Sequence, residues 1–208
     1  MPRPPDPAKR REILDQVREY VTLHGVTDLS LRPLAKALGT SDRMLLYYFG
    51  TKEQMVAEAL DIYARRPLLR TRALLEAIGP PTTPADLRRF LEEVWQQFTD
   101  PQVRATLPLY FEIMSTSVLH PHRYGPVMRN IVGEWTRLYT AIFRDLGMDA
   151  ERARTQATLL ADASLGLLTA PLADGHWDRS HKAFQALLDL LEPGWDKPAS
   201  NHAAYDSA

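Results

Sequence analysis

Residues 30–49 place hydroxyl, guanidinium, carboxylate and phenol groups at helical spacing around a few small and apolar side chains. The chemistry these types share is recognition of a nucleic-acid duplex. Arg43 has the fork to grip a guanine edge, Asp42 accepts from a cytosine amino group, and Met44 suits a thymine methyl. Ser30, Thr40, Tyr47, Tyr48 and Lys52 carry donors for phosphate oxygens, which set register without reading sequence. Arg32 can reach either. Ser41, Asp42, Arg43, Met44, Tyr47 and Tyr48 form the outward set of one short helix, the set that enters a major groove from the helix N-terminus.

Two short helices, over residues 31–38 and 42–49, must hold these groups, and neither is long enough to be stable alone. Ala35 is small where helices cross, Gly39 permits the positive φ of a tight turn, and Leu34, Leu38 and Leu45 supply a shared core. The spacing Ala35, Gly39, Leu45 is that of a helix-turn-helix; plain packing of two helices around a glycine gives it too. Ser30 is placed to cap the first helix and Thr40 with Ser41 the second, while Pro33 falls in a first turn where its missing N–H costs nothing.

The rest of the chain is also helical in pattern, so the fold class is all-α, with about nine helices. A first helix spans residues 8–24, with Ile13, Leu14, Val17, Tyr20 and Val21 on one face and Gly25 as its stop. Thr51 and Gln54 form a capping box that opens a fourth helix carrying Met55, Ala59 and Ile62. Pro67 ends or kinks that helix. Thr83 and Pro84 start a helix with the stripe Leu87, Phe90, Leu91, Val94, Trp95 and Phe98. Further helices are expected over 101–120 with a break at Pro108, over 124–147, and, starting at Asp149 and Asp178, over 150–173 and 179–192. The domains expected are 1–50 for DNA binding, with 1–7 a flexible tail, and 51–192 with a connecting helix over 51–78. Residues 193–208 read as a disordered tail.

The 208 residues carry 25 Lys/Arg and 26 Asp/Glu, a net charge of −1 that hides an asymmetry. Residues 1–52 hold nine cations against six anions, +3, and the remainder sixteen against twenty, −4. A basic head on an acidic body suits a phosphate-binding domain beside a separate second one. With no cysteine, the chain has no disulfide, thiolate metal site or cysteine nucleophile. No apolar stretch approaches a membrane span, so a cytoplasmic location is expected. No phosphate loop, nucleophile elbow or metal-ligand spacing appears, and no enzyme, catalytic residue, metal or cofactor is expected. His120 and His122 around Pro121 lack further ligands. A helical protein-interaction module stays open as an alternative, with the tyrosine pair in its interface.

The run over residues 29–60, with LAKALG and LLYYFGTKE, resembles the tetracycline-repressor (TetR) family of bacterial regulators, and the helix before it extends the likeness to Ala8. The resemblance implies DNA contacts from Ser30, Arg32, Thr40, Ser41, Asp42, Arg43, Met44, Tyr47, Tyr48 and Lys52. Leu46 stands where the family usually has tyrosine, and Tyr48 where it often has histidine. It further implies a helical domain that binds a small molecule and dimerises through its last two helices, and repression of a roughly palindromic operator, relieved by ligand.

Read independently, the middle helices are rich in aromatic and sulfur side chains. Trp95, Phe98, Tyr110, Phe111, Met114, Trp135 and Tyr139, with Asp162, are the candidate lining of a largely apolar ligand site; Glu112, His120 and Arg123 are further polar anchors. Ala153, Ala157, Leu160, Ser164 and Leu167 face one way and Phe184, Leu187, Leu188 and Leu191 another, which suits an intersubunit four-helix bundle or an intrachain core. Pro67 is placed to act as a hinge between head and body.

Overall fold

The computed structural model describes residues 6–64 and 66–195, and side chains there except those of 62–64, 66, 102 and 123. Among the described residues the regular structure is helical, without strands. The helices are α1 (Pro7–His24), α2 (Leu31–Ala37), α3 (Asp42–Phe49), α4 (Lys52–Ala64), α5 (Arg66–Ile78), α6 (Pro84–Thr99), α7 (Pro101–Arg104), α8 (Leu107–Leu119), α9 (Pro121–Asp145), α10 (Ala150–Asp174) and α11 (Trp177–Leu191). A 3-10 turn, Glu192–Gly194, follows.

Prolines account for several boundaries. Pro7, Pro84, Pro108 and Pro121 all sit in the first turn of a helix, where the backbone donor has no intrahelical partner. The break expected at Pro108 therefore comes before it, and α9 begins three residues earlier than periodicity indicated. Pro67 is the second residue of α5. Its expected kink or stop depends on position 65, outside the described residues.

The chain divides into two compact units, Met1–Leu69 with Gln102–Val132 and Arg70–Pro101 with Gly133–Ala208. In the first, α1 buries Ile13, Leu14, Val17 and Val21 along one face and packs lengthwise on α4, whose Met55, Val56, Ala59 and Leu60 are buried in turn. Leu34 and Ala35 of α2 and Leu45 and Phe49 of α3 complete the head core. Each fully buried leucine contributes about 1.5–3 kcal/mol, which two helices this short cannot supply from propensity. The α2–α3 turn closes as a Schellman motif. Thr40 N–H donates to the Ala35 carbonyl at 2.9 Å and Gly39 N–H to Lys36 at 3.3 Å, with Gly39 at φ 63°. Thr40 is thus part of the helix stop and does not cap α3; Ser41 does, accepting from Met44 N–H at 3.3 Å.

The second unit is built on α6, whose Leu87, Phe90, Leu91, Val94 and Trp95 are buried, and on the α10–α11 pair. Ala153, Ala157 and Leu160 of α10 and Phe184, Leu188 and Leu191 of α11 are buried within this single chain. Part of the small-against-large pattern thus lies in an intrachain core, while Ser164, Leu167 and Leu187 of the same stripes are half-buried and Leu159 and Leu190 are exposed. The last described residue is also packed. Trp195 is buried, 6.0 Å from the Phe143 ring, and the Arg152 guanidinium donates to the Gly194 carbonyl. Gly194 and Trp195 are thus held against the unit, while 196–208 lie outside the described residues. α11 begins at Trp177, one residue before Asp178, because Asp174 already accepts from His176 N–H at 2.9 Å and Arg179 at 2.6 Å and so shapes the preceding turn.

Candidate DNA interface

At 3.6 residues per turn, burial of Leu45 and Phe49 turns Arg43 and Tyr47 to the centre of the outward face of α3, with Met44 and Leu46 on its flanks. Arg43 is exposed and has no ion-pair or hydrogen-bond partner among the described residues. Met44, Leu46 and Tyr47 are 40%, 40% and 45% exposed, an apolar load that a helix facing only water has no use for. Tyr47 and Tyr48 meet edge to face, ring centroids 5.3 Å apart, which restricts both phenols.

The other candidates border this face. Asp42 lies in the first turn of α3, 4.0 Å from the fully exposed Arg32 guanidinium of α2. At that distance and exposure the pair is weak, and both groups remain available to a polyanion or base edge. Ser30 occupies the N-cap position of α2 but its hydroxyl makes no capping bond, contrary to the expected role. Lys52 is half-buried: its ammonium donates to the Leu29 carbonyl at 2.9 Å and lies 3.7 Å from the Glu53 carboxylate. The Thr51–Gln54 capping box is complete, with Thr51 N–H to Gln54 Oε1 at 3.0 Å and Gln54 N–H to Thr51 Oγ1 at 3.1 Å.

Two charged residues outside the motif hold this unit, and sequence reasoning assigned neither its role. Arg10 of α1 forms a two-pronged pair with Glu58 of α4, 2.5 and 2.6 Å, donates to the Tyr48 carbonyl at 3.2 Å, and lies 4.8 Å over the Phe49 ring. One side chain thereby ties α1 to α3 and α4. Glu112, expected as a ligand anchor, instead accepts from the backbone and hydroxyl of the α1–α2 turn. Its signal in the sequence is that it is the sole charged residue of α8.

The candidate ligand-lining residues divide between the units. Tyr110, Phe111 and Met114 lie half-exposed on α8 in the first, the two rings perpendicular at 5.6 Å. In the second, Phe98, Trp135 and Tyr139 form a tilted series, with centroids 5.6 and 5.7 Å apart. Burial pushes the Tyr139 phenol well above its ordinary pKa, so it stays neutral at any physiological pH. Trp95 belongs to a different arrangement, stacked 4.3 Å from Phe184 at 8°, and its buried indole N–H has no partner. Asp162 is exposed on α10. His120 and His122 are exposed with rings 6.2 Å apart, and among the described residues no group of three or more metal-type ligands gathers. The side chain of Arg123 lies outside the described residues. Among them no helix is long and apolar enough to cross a membrane.

Residues 13–59 match the family model described as bacterial regulatory proteins, tetR family. The chain is 27% identical over 203 residues to the HTH-type transcriptional regulator BetI of Agrobacterium fabrum, an alignment spanning 86% of this chain and 91% of that protein. A transcriptional regulator from Rhodococcus sp. Rha1 shares the fold at TM-score 0.73 and 19% identity, covering 90% of this chain and 98% of that one. A protein from Saccharomonospora viridis crystallised with choline does so at TM-score 0.68 and 21% identity, over 90% and 97% of the two chains. The matched segment contains α2, the Gly39 turn and α3, so residues 30–49 lie within the stretch that is similar to the tetR family of bacterial regulatory proteins.

Proposed function

We propose that this regulator is a homodimeric repressor, acting in the cytoplasm on a roughly palindromic operator and released from it by a small, largely apolar ligand. The observation that carries the reading is the outward face of α3, where an unpaired Arg43 stands between exposed Met44, Leu46 and Tyr47 over a fully buried base. Arg43 reads a guanine, Met44 a thymine methyl and Asp42 a cytosine amino group. Ser30, Thr40, Ser41, Tyr47, Tyr48 and Lys52 hold phosphates, and Arg32 serves either purpose. One such helix reads only a few base pairs, so two heads on two half-sites supply the specificity. Outward Leu159 and Leu190 support a dimer contact through α10 and α11.

The ligand reading rests on the aromatic series Phe98, Trp135 and Tyr139, with the unpartnered Trp95 indole as a donor in the same unit. Tilted rings also suit an organic cation through their negative faces, in keeping with the choline held by the Saccharomonospora protein. For ligand to release DNA it must bind the DNA-incompetent state more tightly.

Selection of duplexes from a random pool by the purified protein tests the first half, and enrichment of a two-fold symmetric site is expected. Affinity for that site should fall steeply with salt as phosphates are released. Absence of any enriched site sinks the reading. Titration with choline and with an uncharged alcohol of similar size, followed by tryptophan fluorescence and by operator release, tests the second; a ligand that binds without weakening operator affinity rejects the repressor-release arrangement.

A further inference from the structure

We infer that Glu112 is a positioning residue for operator recognition, holding from α8 the turn that sets where α2 and α3 lie. The inference rests on the regulator reading above and adds to it a residue far outside the helix-turn-helix. One carboxylate oxygen, Oε1, accepts from Val26 N–H at 2.8 Å, Thr27 N–H at 2.6 Å and Thr27 Oγ1–H at 2.6 Å. Two successive N–H groups following a positive-φ glycine make a concave anion cradle, and here Gly25 has φ 72°. A Cβ at Gly25 would lie 2.6 Å from Oε2 and 2.9 Å from Oε1, so the glycine leaves room for the carboxylate as well as allowing the conformation.

Placement against the helix dipole makes the contact more telling. Gly25 caps the C-terminus of α1, its N–H bonded to Val21. A negative charge is unfavourable there, and the three directed bonds offset that repulsion. The turn they hold is five residues from the start of α2, with Val26 and Leu29 buried as its anchors. Its other end is held by Lys52 of α4, through the Leu29 carbonyl at 2.9 Å. The turn is thus clamped by an anion on its donors and a cation on its acceptor. α8 carries Tyr110, Phe111 and Met114 beside Glu112, so a displacement of α8 would reach the operator-reading helices through this clamp.

The experiment compares Glu112→Ala, Glu112→Gln and Thr27→Val in the full chain. It reads affinity for the selected operator, affinity for a scrambled duplex at the same salt, and hydrogen exchange at Val26 and Thr27. Loss of charge-assisted bonds should weaken operator binding by Glu112→Ala about tenfold and speed exchange at both amides by at least about as much. Binding to the scrambled duplex, driven by phosphates, should stay within about twofold. Glu112→Gln keeps an accepting oxygen without the charge and should recover operator binding and exchange protection in part, to within about threefold of wild type; a loss as large as that of Glu112→Ala overturns the account by directed bonds. Thr27→Val removes one bond of three and should cost about threefold in operator affinity. Operator affinity unchanged in Glu112→Ala, or equal losses on operator and scrambled duplex, overturns the inference. Should Glu112→Ala fail to fold, Thr27→Val decides, and wild-type operator binding there overturns it. A wild-type chain that selects no duplex overturns the regulator reading instead, and is distinguished because it needs no variant.

Discussion

Tyr47 and Tyr48 meet edge to face near the surface of α3, whereas Trp95 and Phe184 lie face to face at 4.3 Å with almost nothing exposed. The two pairs mark two uses of aromatic surface. On α3 the rings are held by their neighbours in sequence and stay partly exposed at the surface. Between α6 and α11 they come from 89 residues apart and consume each other, so that the same kind of residue stabilises the unit. Chemistry carried on one short helix can be altered with little effect on folding; chemistry dispersed through a core cannot.

The largest expected effect breaks the second pair. Trp95→Ala should destabilise its unit by ~3–5 kcal/mol, the range for losing a large buried aromatic. Thermal or urea unfolding monitored at the remaining tryptophans measures it. Operator affinity of the folded fraction should stay close to wild type, since Trp95 lies in the unit that lacks α2 and α3. Retained stability would mean that the stack is not a core contact and that the contrast with α3 is false.

Arg43→Ala should do the reverse, with melting unchanged and ~1–3 kcal/mol lost at a single operator position. The readout is relaxed preference for one base pair when the selection is repeated. Lys52→Ala should weaken all duplexes alike, with an added loss of stability because its ammonium also holds the Leu29 carbonyl. If both variants weaken all sequences equally, Arg43 contacts phosphate only.

An intermediate effect probes what the head owes to local capping. Ser41→Ala removes the side-chain acceptor that shares Met44 N–H with the Ser41 carbonyl at the start of α3 and should cost at most about 1 kcal/mol. Faster hydrogen exchange in the first turn of α3 would report it. Equal protection in wild type and variant would show that packing of Leu45 and Phe49 alone fixes the helix start.

The head was legible in the sequence because its determinants are close together. Gly39, Ser41 and the Thr51–Gln54 box act within a few residues of themselves, and each is where spacing placed it. Thr40 departs from its expected role because a hydroxyl before a helix looks like a cap whether or not its backbone is already closing the previous one. Ser30 departs for a similar reason: position selects a cap, but the side-chain rotamer decides it. What could not be read is what depends on distant partners. Glu112 meets a turn 85 residues away, and Arg10 meets Glu58 across 48. The α10–α11 stripe was legible as a face to be covered, but periodicity cannot distinguish a second copy of the chain from Phe184 and Leu188 of the same one.

The smallest effect is a titration, and it asks whether capping in the second unit is as local as in the first. Asp86 sits in the first turn of α6 and accepts from Thr83 Oγ1–H at 2.9 Å and Thr82 Oγ1–H at 3.1 Å. The Thr83 bond first, then that from Thr82, holds its carboxyl below the ordinary aspartate range. A lowered folded pKa means that the charged form favours the folded state. The contribution is complete above the unfolded value and is lost as pH falls through the folded one. The helix dipole acts in the same direction, since a negative charge suits an N-terminus. As pH drops through and below the aspartate range, the start of α6 should fray while the start of α3, capped by the neutral hydroxyl of Ser41, keeps its exchange protection. Asp86→Asn should remove the pH dependence at α6 and leave α3 untouched. If both helix starts lose protection together on acidification, the two units do not melt by separate local caps, and the contrast drawn from their aromatic pairs does not extend to their helix ends.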